Sequence, residues 1–287
     1  MIKKLTLIGV GLIGGSLARA LRHAQVVNEV IGVGRNEASL ELAKGLGVID
    51  DYDTDPASAV AGADVVVLAV PLGEMKSVMQ SIASYLGEKT ILTDVGSAKG
   101  SVLADATEIF NGNIENVILG HPIAGTEKSG VEASFAELFQ HRRVILTPHD
   151  KTSTEALKIV HDMWLACGAE VIEMSVEHHD EVLAATSHLP HMLAYALVDT
   201  LARMDDRKDI FDYAAGGFRD FTRIASSDPH MWHDISMANQ VALVAVMKRF
   251  RADLDGLINA IEKGDSQFVK ETFERAKNAR DAFCEGK

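Results

Sequence analysis

An α/β domain built on a mostly parallel sheet, followed by an all-α domain, is the fold class this sequence predicts. Three observations lead there. A glycine-rich turn, Gly9-Val10-Gly11-Leu12-Ile13-Gly14, separates a short apolar run from a helix-periodic one. Apolar strand-like runs then alternate with helical stretches of about ten residues as far as residue 175. After Met174 the strand pattern stops, and helical spacing continues to the end.

The elements follow in order. Leu5 to Ile8 is an apolar run ending in glycine, and Ile13 to Leu21 has helical spacing. Val30 to Val33, Val65 to Val70 and Thr90 to Asp94 read as further strands, with helices at Ala38 to Leu46 and Met75 to Leu86 between them. Strands of this kind, separated by helices, form βαβ units and hence a parallel sheet. Three more strands are expected at Asn116 to Leu119, Arg143 to Leu146 and Glu170 to Glu173, with a helix from Thr154 to Cys167 before the last. The remainder is helix-periodic, notably Met192 to Leu201, Gln240 to Ile261 and Gln267 to Phe283, with Pro190 and Pro229 as breaks. The expected domains are therefore 1–175 and 176–287. Apolar residues such as Val241, Val244, Met247 and Leu254 on the late helices suggest that the second domain completes its core by forming a homodimer.

Composition narrows the function classes. The chain has 287 residues, 47% of them hydrophobic and 24% charged, enough for two ordinary cores without staples. A formal net charge of -13 repels nucleic acid and anionic membranes, so neither is expected as a partner. Cys167 and Cys284 are the only cysteines, too few for a disulfide framework or a zinc site and consistent with a reducing cytoplasm. The apolar start carries glycines and runs into Arg19 and Arg22, as a strand, turn and helix do and a signal peptide does not. There is no uninterrupted apolar stretch long enough for a membrane span.

The glycine turn fits the Rossmann fingerprint in its required context. Gly9 makes the tight turn, Gly11 admits the pyrophosphate, and Gly14 lets the helix pack on the strand. The N–H groups at the helix start, from Leu12 and Ile13 onward, then face the phosphates of a nicotinamide dinucleotide. Val70 and Pro71, at the end of a strand, lie on the same ligand-binding edge. The acid that usually holds the ribose 2′-hydroxyl is missing, because Gly34 occupies its place and Arg35 follows. Arg35 suits a 2′-phosphate and also suits stacking on adenine, which leaves the cofactor as NAD(P) with NADP somewhat favoured.

Polar residues gather at the carboxyl ends of strands in Asp94-Val95-Gly96-Ser97-Ala98-Lys99 and in Gly120-His121-Pro122. A histidine directly after a strand, titrating near neutrality, is suited to take a proton from a substrate hydroxyl as the carbon gives up hydride, and His121 is the candidate. In the helical half, Ser187-His188-Leu189-Pro190-His191 and the stretch from Gly217 to Trp232 hold anion- and ring-binding residues, including Arg219 and Arg223 at helical spacing. Several histidines raise the question of a metal, but no ligand set is complete by spacing, and none is expected.

Taken together, Gly9 to Ser16, Asp94-Val95-Gly96-Ser97, His121-Pro122-Ile123-Ala124-Gly125-Thr126-Glu127, Ser187-His188-Leu189-Pro190-His191 and Phe221-Thr222-Arg223-Ile224-Ala225 resemble the prephenate dehydrogenase family, which includes arogenate and cyclohexadienyl dehydrogenases of tyrosine biosynthesis. The resemblance spans the chain in order. It implies NAD(P)-dependent oxidative decarboxylation of a cyclohexadienyl substrate, prephenate or arogenate. It further implies that His121 accepts the 4-hydroxyl proton with Ser97 beside it and the nicotinamide, and that Arg223 binds a substrate carboxylate. By the same resemblance His191 and Thr126 contact substrate, Glu127 and Asp180 hold or gate the arginine, Trp232 lines the pocket entrance, and tyrosine is an inhibitor acting at the active site. The rival readings are a β-hydroxyacid dehydrogenase, which would need a lysine in the helical half, and a dinucleotide sensor, which would need no proton acceptor.

Overall fold

In the computed structural model, which describes residues 1–126, 128–205 and 207–285, two compact units form, 1–240 and 241–287. The first opens on β1 (Ile2–Ile8), α1 (Leu12–His23), β2 (Val27–Val33), α2 (Glu37–Gly45), β3 (Asp51–Asp53), α3 (Pro56–Ala59), β4 (Val65–Leu68), α4 (Leu72–Ile82), β5 (Ile91–Asp94), α5 (Gly100–Ile109) and β6 (Val117–Ile118). These six strands form one parallel sheet in the order β3-β2-β1-β4-β5-β6, the Rossmann order. Its central strands are buried on both faces, which is why β4 reads as the unbroken run Val-Val-Val-Leu. One core layer gathers Leu5, Leu7, Leu17, Leu21 and Val67, and the other Ile8, Val66, Leu68, Met75 and Met79.

A smaller sheet follows from β7 (Gly120–Pro122), β8 (Arg143–Leu146) and β9 (Glu170–Glu173), with α6 (Thr154–Ala166) between the last two. β7 runs antiparallel to β8, and β8 parallel to β9. His121 thus lies within a short strand, whereas the sequence suggests a loop after one. Pro122 is tolerated because β7 is an edge strand, and an edge can lose an N–H without breaking a ladder on both sides. β3 is also absent from the sequence reading, since three residues with acidic ends carry little strand signal. The other strands and helices fall where the periodicity puts them, within a few residues at their ends.

The first unit continues through α7 (Val176–Leu183), a π-helical turn (Ala184–His188), α8 (Leu189–Ala202), α9 (Arg207–Asp212), α10 (Gly216–Thr222) and α11 (Pro229–Ala238). Pro190 and Pro229 occupy first turns and open helices, where a missing N–H costs nothing. The helices up to α11 are tied to the nucleotide-binding half. Asp180 on α7 accepts the N–H groups of Lys99 and Gly100 at 2.9 Å each, and Asp234 on α11 accepts from Gly73 N–H at 3.3 Å. For this reason the compact units divide after residue 240, whereas periodicity changes at 175.

The second unit is made of α12 (Gln240–Glu262), apart from its first residue, and α13 (Ser266–Glu285). Val241, Val244, Met247, Leu254, Ile258, Ile261, Phe268 and Phe273 are all exposed on these helices, and α13 buries none of its residues. Among the described residues no helix is long and apolar enough to cross a membrane.

Candidate active site

The cleft at the point where the strand order reverses, between β1 and β4, is lined by Gly9, Gly11, Gly34, Arg35, Asn36, Ser39, Val70, Pro71 and Glu74. Gly9 has φ +100°, and a Cβ there would stand 2.3 Å from the Ala69 carbonyl oxygen, so only glycine fits. A Cβ on Gly14 would meet the Gly9 oxygen at 2.3 Å, which is the close helix-to-turn approach the fingerprint encodes. Gly11, in contrast, faces open space and caps α1 without any side-chain hydrogen bond. The first-turn N–H groups of α1 are therefore available to an anion, while the Leu12 and Ile13 side chains pack on the core and contribute only backbone. This cradle fits a dinucleotide pyrophosphate. Arg35 sits on the rim, largely exposed, and pairs with Glu74 at 3.2 Å.

A buried network lies beyond the cleft at the carboxyl end of β5. Lys99, fully buried, pairs with Asp94 and donates from Nζ to the Gly120 carbonyl at 2.7 Å. Asp94 also accepts N–H from Gly96 at 2.8 Å and from Gly120 at 3.2 Å. The β5–α5 loop, which carries half-buried Ser97, is thereby fastened to the residue preceding His121. Burial pushes the Lys99 ammonium below its ordinary value, against the pull of Asp94.

His121 is buried, and its Nδ1 lies 2.9 Å from Nε2 of His179, whose Nδ1 lies 2.8 Å from Asp180 Oδ1. Burial first, then the charge of Lys99 and the neighbouring His179 and His188, hold His121 well below the usual imidazole value of 6.5, so it rests as a neutral base. Burial acts to raise Asp180, but hydrogen bonds from His179 and from the N–H groups of Lys99 and Gly100 outweigh it and leave Asp180 below the usual carboxylate value.

The helical side supplies rings. His191 stacks on Trp232 with centroids 3.5 Å apart and planes 19° apart, and its Nδ1 donates to the Ser187 carbonyl at 2.9 Å. Burial lowers the His191 pKa, and the Arg223 charge lowers it further, which sets Arg223 close by. His188 accepts at Nδ1 from Asn239 Nδ2 at 3.2 Å, and burial takes its pKa down to about 4. Asn239 donates as well to the Asp180 carbonyl at 2.8 Å. Two buried donors, His188 Nε2 and Trp232 Nε1, have no partner among the described residues.

The structure therefore gathers Ser97, His121, Asp180, His191, Arg223 and Trp232 around the end of the nucleotide cleft. Thr126 is exposed, on a loop beside a separate depression with Phe135, Gln140 and Arg142, and Glu127 lies outside the described residues. The sequence reading missed Lys99, Asp94 and Asn239 as supports and passed over His179. Its position between His178 and Asp180 in a polar run gave no sign that it alone is turned fully inward. One cluster resembling a metal site does form, His230, His233 and Asp234 within 4.8 Å. Both histidines are exposed, and Asp234 is already engaged by Gly73 and His233, so we assign no ion there.

A Rossmann cleft joined to a buried neutral histidine defines a dinucleotide-dependent oxidoreductase. Residues 17–173 match the model for the nucleotide-binding domain of prephenate dehydrogenase, and residues 175–275 match that for its dimerization domain. The chain belongs to the prephenate dehydrogenase family, whose members are NAD(P)-dependent oxidoreductases. It is 39% identical to a cyclohexadienyl dehydrogenase of Zymomonas mobilis, with 98% of this chain and 96% of that one covered. It is 34% identical to a prephenate dehydrogenase of Bacillus subtilis, covering 96% and 75%. Among solved structures, the prephenate dehydrogenase of Aquifex aeolicus in complex with hydroxyphenyl propionate and NAD+ superposes with a TM-score of 0.92 at 37% identity, covering 99% of each chain.

Proposed function

We propose that the chain oxidises and decarboxylates prephenate, and accepts arogenate, with His121 as the proton acceptor. The observation that carries this reading is a neutral, buried imidazole fastened through Gly120 to the loop that bears Ser97, at the carboxyl end of the sheet. A bound nicotinamide dinucleotide supplies the two-electron acceptor for the hydride leaving the hydroxyl-bearing ring carbon. His121 takes the hydroxyl proton, the bond to the ring carboxylate breaks, CO2 departs, and the freed electron pair completes the aromatic ring. Ser97 orients the hydroxyl. Arg223 holds a substrate carboxylate, His191 and Thr126 contact the substrate, Trp232 walls the entrance, and Glu127 and Asp180 secure the arginine or the histidine around it. A local cation answers the otherwise repulsive charge of -13.

NADP is the favoured cofactor. Gly34 offers no carboxylate to a 2′-hydroxyl, and Arg35 reaches a 2′-phosphate once it exchanges its exposed Glu74 partner. Residues 176–287 form the substrate-binding and dimerisation module; the name of the matching domain model and the exposed apolar faces of α12 and α13 support a homodimer. Unpaired Cys167 and Cys284 accord with a cytoplasmic protein, and tyrosine inhibits by occupying the substrate site.

Purified protein is tested with prephenate or arogenate, each with NAD or NADP, following reduced-cofactor absorbance. Turnover fastest with prephenate and NADP is expected, and no turnover with any pair overturns the reading. Sedimentation of the same sample checks the dimer.

A further inference from the structure

We propose that His179 and Asp180 form a positioning relay that fixes the proton on Nδ1 of His121 and leaves Nε2 bare as the base. The inference rests on His121 being the proton acceptor, and assigns His179 a role that neither the sequence reading nor the family comparison gives it. The chemistry is forced one step at a time. Asp180 receives two backbone N–H bonds, Lys99 on Oδ1 and Gly100 on Oδ2, as an ionised carboxylate does. An acceptor at Oδ1 places a proton on Nδ1 of His179, 2.8 Å away. With that nitrogen protonated, His179 presents a lone pair at Nε2, and Nδ1 of His121, 2.9 Å away, must carry the hydrogen between them. The remaining lone pair of His121 is at Nε2.

The relay is rigid. His179 is wholly buried, Asp180 is pinned at both oxygens and at its carbonyl by Asn239, and Gly120 is clamped by Lys99 and Asp94. When the O–H bond of the substrate breaks and an N–H bond forms at Nε2, His121 becomes a cation. The carboxylate of Asp180, one ring away, is the negative charge that offsets it. Lys99, His179 and His188 surround His121, with Asp94 behind Lys99 and Asp180 behind His179, so Asp180 is the anion linked to the ring through hydrogen bonds.

Two substitutions test the relay. His179→Leu fills the space without either hydrogen bond, while His179→Gln keeps a carbonyl for His121 Nδ1–H and an amide donor for Asp180. We expect His179→Leu to lower kcat about 10²-fold with KM for substrate and cofactor nearly unchanged, and His179→Gln to remain within about 10-fold of wild type. The acid limb of the kcat profile should shift in the leucine variant and stay in the glutamine variant. Side-chain 15N spectra supply a readout independent of turnover. In wild type and His179→Gln, His121 should be protonated at Nδ1 and bare at Nε2; in His179→Leu that single tautomer should be lost. Protonated Nε2 in wild type, or equal loss of kcat in both variants, overturns the relay. Absence of turnover in wild type with the Nδ1 tautomer intact would refute the dehydrogenase reading while leaving the relay standing.

Discussion

Lys99→Met offers the sharpest test of how the site is built. Lys99 is 0% exposed and Asp94 2%, and methionine matches the lysine stem without its charge. Removing one partner of a buried pair leaves the other uncompensated, at a cost of about 3–5 kcal/mol. Asp94 retains the N–H groups of Gly96 and Gly120, while the Gly120 carbonyl loses its Nζ donor, so we place the loss at about 3–4 kcal/mol. At about 2 °C per kcal/mol for a chain of this size, Tm should fall by roughly 6–8 °C in scanning calorimetry, with a matching fall in urea midpoint. Asp94→Asn combined with Lys99→Met removes the stranded charge and should recover at least half of the loss. If Lys99→Met comes within about 1 kcal/mol of wild type and the double variant is no better, the buried pair does not secure the β5 loop.

Other outcomes follow from the same geometry. Because burial and neighbouring charge hold His121 well below 6.5, activity should be lost only as pH falls through that lowered value, so the acid limb of kcat/KM should lie below pH 6.5. A Cβ at Gly34 would meet Leu40 at 3.4 Å, an ordinary contact, so Gly34→Asp should fold. Its carboxylate should move the NAD to NADP ratio of kcat/KM about 10- to 100-fold toward NAD, measured with both cofactors. Arg223→Ala should raise KM about 10- to 100-fold while Tm holds steady, in steady-state kinetics beside a melt; an unchanged KM would remove Arg223 from the site.

The sheet was legible because its strands are long apolar runs, as at Val65 to Leu68, and because Gly9, Gly11 and Gly14 sit where strand meets helix. His121 was legible by type and place, though not as a strand residue, since Pro122 ends the run and a three-residue edge strand has almost no periodicity to read. The supports of His121 were not legible. Lys99 and Asp94 come together at the end of β5, but only the fold reveals that both are buried and that they grip Gly120 from another element. His179 escaped because local sequence says which residues are polar, and only packing decides which of three neighbouring ones turns inward. In the same way Asp180, read as partner to an arginine, is seated against the start of α5 and His179.

The π-helical turn at Ala184–His188 gives this arrangement an unusual sensitivity to length. His179 and Asp180 precede it, His188 and His191 follow, and the charges of the first pair are felt at His188. An α-helix turns 100° per residue, so removing one residue here would restore regular winding and rotate everything downstream by about that angle. The rings of His188 and His191 would then face away from the histidine they now neighbour, with no residue of the site itself replaced. A single-codon deletion in five residues of small and polar side chains is thus as consequential for this enzyme as the substitution of a residue that touches substrate.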